Sequence, residues 1–126
     1  MGKIKYILLA CSFLVIGCTG EQKTEREIAE EKGAELLQQA RTALNNAEFQ
    51  KAIELIDSIR SAYPLAMEVR EQGILLKDSV HLEEAREELR QGHENGLKGE
   101  QLEEAQRKIE FFIRKLQHDK ERRLTH

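Results

Sequence analysis

The sequence predicts an all-α protein built from two successive helical hairpins, and three observations carry that expectation. Charged residues make up 34% of the 126 residues and aromatics 5%, with one Pro and no Trp. That composition suits long solvated helices rather than sheet. Outside an N-terminal apolar block there is no alternating Val/Ile/Thr run of the kind that marks a strand. Apolar residues instead recur at three- and four-residue steps in four consecutive stretches, each the stripe of an amphipathic helix. The length allows one domain with a modest core.

The N-terminus reads as an address. Lys3 and Lys5 precede an uncharged run from Tyr6 to Ile16, about half the ~20 residues needed to span a bilayer. A basic start and a short apolar core describe a secretion signal. The run ends in Val15-Ile16-Gly17-Cys18, which resembles the lipobox of bacterial lipoproteins, with Val15 where Leu is commonest. The resemblance implies cleavage after Gly17, a thioether-linked diacylglycerol on Cys18 and a fatty acid such as palmitate on the new amino terminus. Two or more acyl chains hold a protein to a bilayer almost permanently. The alternative is an ordinary cleaved signal with Cys18 as a bystander. The family implies the bacterial cell envelope, with the outer membrane expected and the body facing either the periplasm or the cell surface. Cys11 falls in the discarded segment, so the mature chain has no intramolecular disulfide to form. Removing Lys3 and Lys5 leaves 18 basic against 23 acidic side chains, a net of −5. Signal peptide 1–17 and lipidated tether 18–23 thus precede the helical body.

The first hairpin spans residues 24–64. Thr24-Glu-Arg-Glu27 fits a capping box, opening a helix from about Glu25 to Asn45 with Gly33, Leu36, Leu37, Ala40 and Leu44 on one face. A second helix, about Glu48 to Ala62, carries Phe49, Ala52, Ile53, Ile56, Ile59 and Tyr63, and Pro64 closes it. Helices joined this tightly fold back on each other. Phe49 to Glu54 with Pro64, and Ala40 twelve residues before Ala52, resemble a single tetratricopeptide repeat over about residues 33 to 64. Leu36 stands where that family has a large aromatic, and Ala47-Glu48 replaces its Gly-Asp turn. The family's peptide-carboxylate clamp needs adjacent repeats, and with Leu37 and Arg41 on the relevant helix it is not carried over. One repeat leaves an apolar face that something else must cover.

Residues 65–126 supply the cover as an antiparallel helical hairpin. In a third helix, roughly Leu65 to Gln91, Leu65, Val69, Gly73, Leu76 and Val80 form one face, while Leu75, Leu82, Ala85 and Leu89 lie nearly opposite. The first face is expected to cover the repeat-like hairpin and the second to meet a fourth helix. A loop with three glycines over Gln91–Gly99 separates them. Beyond it Leu102, Ala105, Ile109, Phe112 and Leu116 follow a/d heptad spacing. Leu89 with Leu102, Leu82 with Ile109 and Leu75 with Leu116 all have numbers summing to 191, the constant sum of an antiparallel coiled coil.

Sites for chemistry are sparse. His81 and Glu84 share a helical face, but a zinc site needs three or four convergent ligands, so no metal and no cofactor is expected. Ser58, Ser61 and Ser79 lie on helices with no strained turn to expose a nucleophile. The Glu-rich stretch through Glu83, Glu84, Glu87 and Glu88 reads as a solvated face. No catalytic residue is expected, and the chain is not expected to be an enzyme. Its net charge of −3 argues against nucleic acid as a partner. What stands out is Phe111, ringed by Arg107, Lys108, Arg114 and Lys115. Residues 107–123 hold seven basic and three acidic side chains, leaving about −9 on the rest of the mature chain. This group is the candidate interaction patch; the alternative packs Phe111 against the first or second helix under the basic stems. The expected function is a membrane-anchored, non-enzymatic interaction module with an envelope protein as partner. The second possibility is a coiled-coil spacer that oligomerises, which light scattering distinguishes from a monomeric adaptor.

Overall fold

The computed structural model describes residues 22–125. The signal peptide, Cys18 and most of the tether lie outside the described residues. Four helices follow in order: α1 (Glu25–Asn45), α2 (Phe49–Ala62), α3 (Met67–Glu94) and α4 (Glu100–Leu124). The fold is all-α. The capping box is present: Thr24 Oγ1 accepts from the Glu27 N–H at 3.2 Å, and the Glu27 carboxylate accepts from the Thr24 N–H at 2.8 Å. Two of the free donors of the first turn are thereby satisfied.

The α1–α2 link closes in three residues because α1 ends in a left-handed cap. Ala47 has φ +56°. Its N–H donates to the Leu44 carbonyl and the Glu48 N–H to the Ala43 carbonyl, both at 2.9 Å, the pair of bonds that defines a Schellman motif. Glycine normally holds that position, since a Cβ costs about 1 kcal/mol there. Ala47 is exposed, so its methyl group gives little back. Ala47→Gly is therefore expected to stabilise by about 0.5 kcal/mol after the extra freedom of the unfolded chain is deducted. Thermal melting measures it, and a lower melting temperature would mean that the methyl group packs.

Between α2 and α3 the Ala66 N–H donates to the Tyr63 carbonyl at 3.0 Å, closing a turn with Pro64 in its second position. This moves the start of α3 to Met67. Leu65, expected on the covering face of α3, is an exposed turn residue instead, and Ala66 takes the buried place. No side chain of α3 caps its own start. Glu30 of α1 does so from outside, accepting from the Glu68 N–H at 3.0 Å and the Val69 N–H at 3.1 Å. A carboxylate at a helix N-terminus is favourable for both hydrogen bonding and the helix dipole.

The core is the meeting of three helices. Ala29 and Leu37 of α1, Ile59 of α2, Ala66 and Val69 form one cluster. Ala40 and Ala43 of α1, Ala52 and Ile56 of α2, and Val80 of α3 form the other, and the half-buried Leu76 touches both. Ala40 and Ala52 are 0% exposed, as close helix crossing demands. Gly33 allows α1 to approach α3: a Cβ there would stand 3.3 Å from Ala66 Cβ and Val69 Cγ1. The first half of α3 therefore covers the hairpin, as its apolar periodicity implies.

Helix α4 runs along nearly the whole length of α3, not its second half alone, and packs against no other helix among the described residues. Leu82 and Ala85 are buried in this seam, while the α4 residues Leu102, Ala105, Ile109, Phe112 and Leu116 are half-buried. The pairing is antiparallel: Arg123 bonds Glu68, whose numbers again sum to 191, and Lys115 bonds Asp78 at 2.6 Å. The loop is shorter than the glycines suggest. Helix α3 continues to Glu94 with Gly92 inside it, and Gly96, at φ +77°, caps it. The Leu97 N–H reaches the Gly92 carbonyl at 2.8 Å and the Gly96 N–H the His93 carbonyl at 3.2 Å. The Asn95-Gly96 pair is thus a second Schellman cap, and Leu97 covers Gly92.

Candidate interaction surface

Helix α4 presents three aspects, set by its 100° turn per residue. Its seam faces α3. Lys108 lies at the edge of the seam, 2.8 and 3.1 Å from the two Glu88 carboxylate oxygens. Lys115, four residues from Phe111, turns to α3 as well, with its Nζ 2.6 Å from Asp78 Oδ1 and 2.9 Å from Asp119 Oδ2. Arg107 and Arg114 remain on the outer side with Phe111, close to Glu103 at 4.0 Å and Glu110 at 3.8 Å. The five residues of the candidate patch are therefore divided between two jobs. Three of the seven cations of 107–123, Lys108, Lys115 and Arg123, pair with acids of α3, Glu88, Asp78, Glu68 and Glu71, so part of the sign asymmetry reflects pairing inside the hairpin.

Phe111 is 56% exposed. Packing against α1 or α2, the alternative read from the sequence, does not occur, because α4 reaches only α3. The ring is held from one edge by Phe112, with centroids 5.2 Å apart in a T-shaped arrangement. Phe112 in turn stacks on His81 across the seam at 5.1 Å. His81 Nδ1 lies 3.7 Å from Glu84, and no group of three or more metal-ligating side chains converges among the described residues.

One charged site in the seam was not read from the sequence. Asp78 is 2% exposed and its Oδ2 is buried with no hydrogen-bond partner. Burial, then the neighbouring Asp119 carboxyl, raises its carboxyl above the ordinary carboxylate range, against the pull of Lys115. The neighbouring Asp78, then Lys115, holds Asp119 below that range. Lys115 is raised, first by Asp78 and next by Asp119. Two carboxyls that share a site cannot both ionise freely. The signal was present in the spacing, since Asp78 falls on the stripe of Leu75, Leu82 and Ala85 where an apolar residue would be ordinary.

Beside this seam, between it and the face buried under the hairpin, α3 lines an open cleft of about 360 Å³ whose far wall is α2. Met67 and Ile74 stand 51% and 52% exposed there, with Ile56 behind them. The cleft runs on toward the end of α4, where Asp119, Arg122 and Arg123 border Ile74 on its other side. No protein-family model, curated protein or solved structure matches the chain, so its function rests on these residues alone.

Proposed function

We propose that this protein is a lipid-anchored lipoprotein of the bacterial cell envelope whose helical body is a non-enzymatic protein-protein interaction module. The observation that carries the module reading is Phe111, half exposed on a helix face that no other described element covers, with Arg107 and Arg114 beside it. Aromatic side chains, Phe among them, and Arg are enriched at protein interfaces relative to the rest of the surface. The Val15-Ile16-Gly17-Cys18 motif supports the anchor, and acylated Cys18 would hold the body against the bilayer. An envelope protein is then the partner that a tethered module meets at high local concentration.

One experiment in intact cells tests both parts. A photo-crosslinking residue replaces Phe111 in the full chain, with and without Cys18→Ser, while a fatty-acid analogue labels acylated protein. The expected result is a labelled chain crosslinked to an envelope protein, and a Cys18→Ser chain that is unlabelled and released from the membrane fraction. Label retained after Cys18→Ser would overturn the anchor. A labelled chain with no protein crosslink from Phe111 would remove that face as a docking surface.

A further inference from the structure

The cleft along α3 between α2 and the end of α4 has a charge pattern of its own. Three acids border it and each has a cation partner within the chain. Asp57 is 2.7 Å from Lys77, Asp119 is 2.9 Å from Lys115, and Glu71 is 4.0 Å from Arg123. Apart from Arg123, the arginines fare differently. Arg60 on the α2 wall and Arg122 on the α4 wall are in no ion pair among the described residues, and Arg70 donates to the Pro64 carbonyl at 2.8 Å and pairs with no acid among them. An apolar floor of Met67 and Ile74 thus lies under three unneutralised guanidinium groups, in a chain whose net charge is −3.

We infer that this cleft binds an acidic amphipathic helix of a partner protein. The floor follows one stripe of α3 from Met67 through Ile74 to Lys77, about 15 Å at 1.5 Å per residue, which matches roughly three turns of a second helix. Because α2 and α4 do not touch, this face of α3 is bounded by α2 on one side and by the end of α4 on the other, with Ile74 between the two clefts, a surface that helix-in-groove recognition can use. Apolar side chains of the incoming helix would cover Met67 and Ile74, and its flanking carboxylates would meet Arg60 and Arg122. Guanidinium–carboxylate pairs of this kind fix orientation as well as adding affinity. A flat anionic bilayer fits less well, since the apolar residues line the floor between the walls.

The inference rests on the module reading but names a different face, so the two separate experimentally. In the full chain in intact cells, a photo-crosslinking residue is placed at Ile74 in one strain and at Phe111 in another, and crosslinked peptides are sequenced by mass spectrometry. The expected product from Ile74 is a partner segment with apolar residues at helical spacing flanked by Asp or Glu. Arg60→Glu combined with Arg122→Glu is expected to lower its yield at least tenfold while leaving the melting temperature within a few degrees, as for exposed charges. No product at Ile74, a lipid adduct, a second copy of this chain, a segment without acidic residues or a yield indifferent to charge reversal would overturn the inference. A protein product from Phe111 with none from Ile74 would leave the module reading intact and remove only the cleft; absence of both would remove both.

Discussion

Ala52→Arg is expected to lower stability by more than about 3 kcal/mol and to unfold much of the population at physiological temperature. Ala52 is 0% exposed and meets Ala40, Ala43, Ile56 and Val80, so its methyl group stands where three helices converge. Overpacking alone costs about 1–3 kcal/mol. The guanidinium has no acid in that cluster to pair with, and an unpaired buried charge adds a further penalty. The Arg stem could reach water only by separating α1 from α2. Against a total stability of about 5–15 kcal/mol for a domain, that loss is large. Circular dichroism during thermal melting measures it, with Lys51→Ala on the exposed side of the same helix expected to change stability by less than about 0.5 kcal/mol. An unchanged melting curve for Ala52→Arg would place Ala52 outside the crossing.

The second large effect belongs to the α3–α4 seam and depends on pH. Lys115→Met leaves the buried Asp78 facing Asp119 without its cation. Breaking a buried pair from one side costs about 3–5 kcal/mol; Lys115 is partly exposed and solvent screens the pair, so a loss of about 2 kcal/mol at pH 7 is expected. The carboxyl of Asp78 is already raised by burial and by Asp119, and removing Lys115 raises it further. A raised folded-state carboxyl favours the fold below its unfolded pKa of about 4 and loses that contribution as pH climbs through the folded value. The deficit of Lys115→Met should therefore shrink between pH 7 and pH 4 as Asp78 takes up a proton. Asp119 works in the opposite sense, its depressed carboxyl favouring the fold above about pH 4. Asp78→Asn, whose amide can donate to Asp119 and accept from Lys115, is expected to stay within about 1 kcal/mol of the natural chain. Asp78→Asn should also rescue most of the Lys115→Met loss. Urea unfolding of the variants across that range decides it. A deficit independent of pH would show that Lys115 contributes only through packing.

Periodicity made the helices legible because a stripe needs nothing but its own spacing. The capping box at Thr24 and Glu27, the end of α2 before Pro64 and the antiparallel sense of α3 and α4 were all readable for the same reason: each signal is local or a simple constant sum. The boundaries of α3 were displaced for local reasons that spacing does not register. A turn through Pro64 and Leu65 delayed its start, and a Gly96 cap, with Leu97 folded over Gly92, let it run past the first glycine. Asp78 interrupts an apolar stripe, but a single polar residue on a charged helix carries little signal of its own until its burial is known. Within the candidate patch, the sequence placed Phe111 among basic neighbours but could not divide those neighbours between solvent and α3.

The sequence by itself determined four helices, their order, the two hairpins and the apolar faces that must be covered, because these follow from side-chain spacing and from caps within a few residues of one another. Tertiary structure alone decided the rest. Glu30 caps α3 from 38 residues away, Lys115 reaches Asp78 across the seam, and Phe111 is left exposed because, among the described helices, α4 touches only α3. The cleft over Ile74 likewise exists only because α2 and α4 stand on either side of one helix without meeting. Each of these depends on where a helix sits relative to a partner remote in sequence, and the stripe on a single helix specifies that something packs against it without specifying at what angle or how far along.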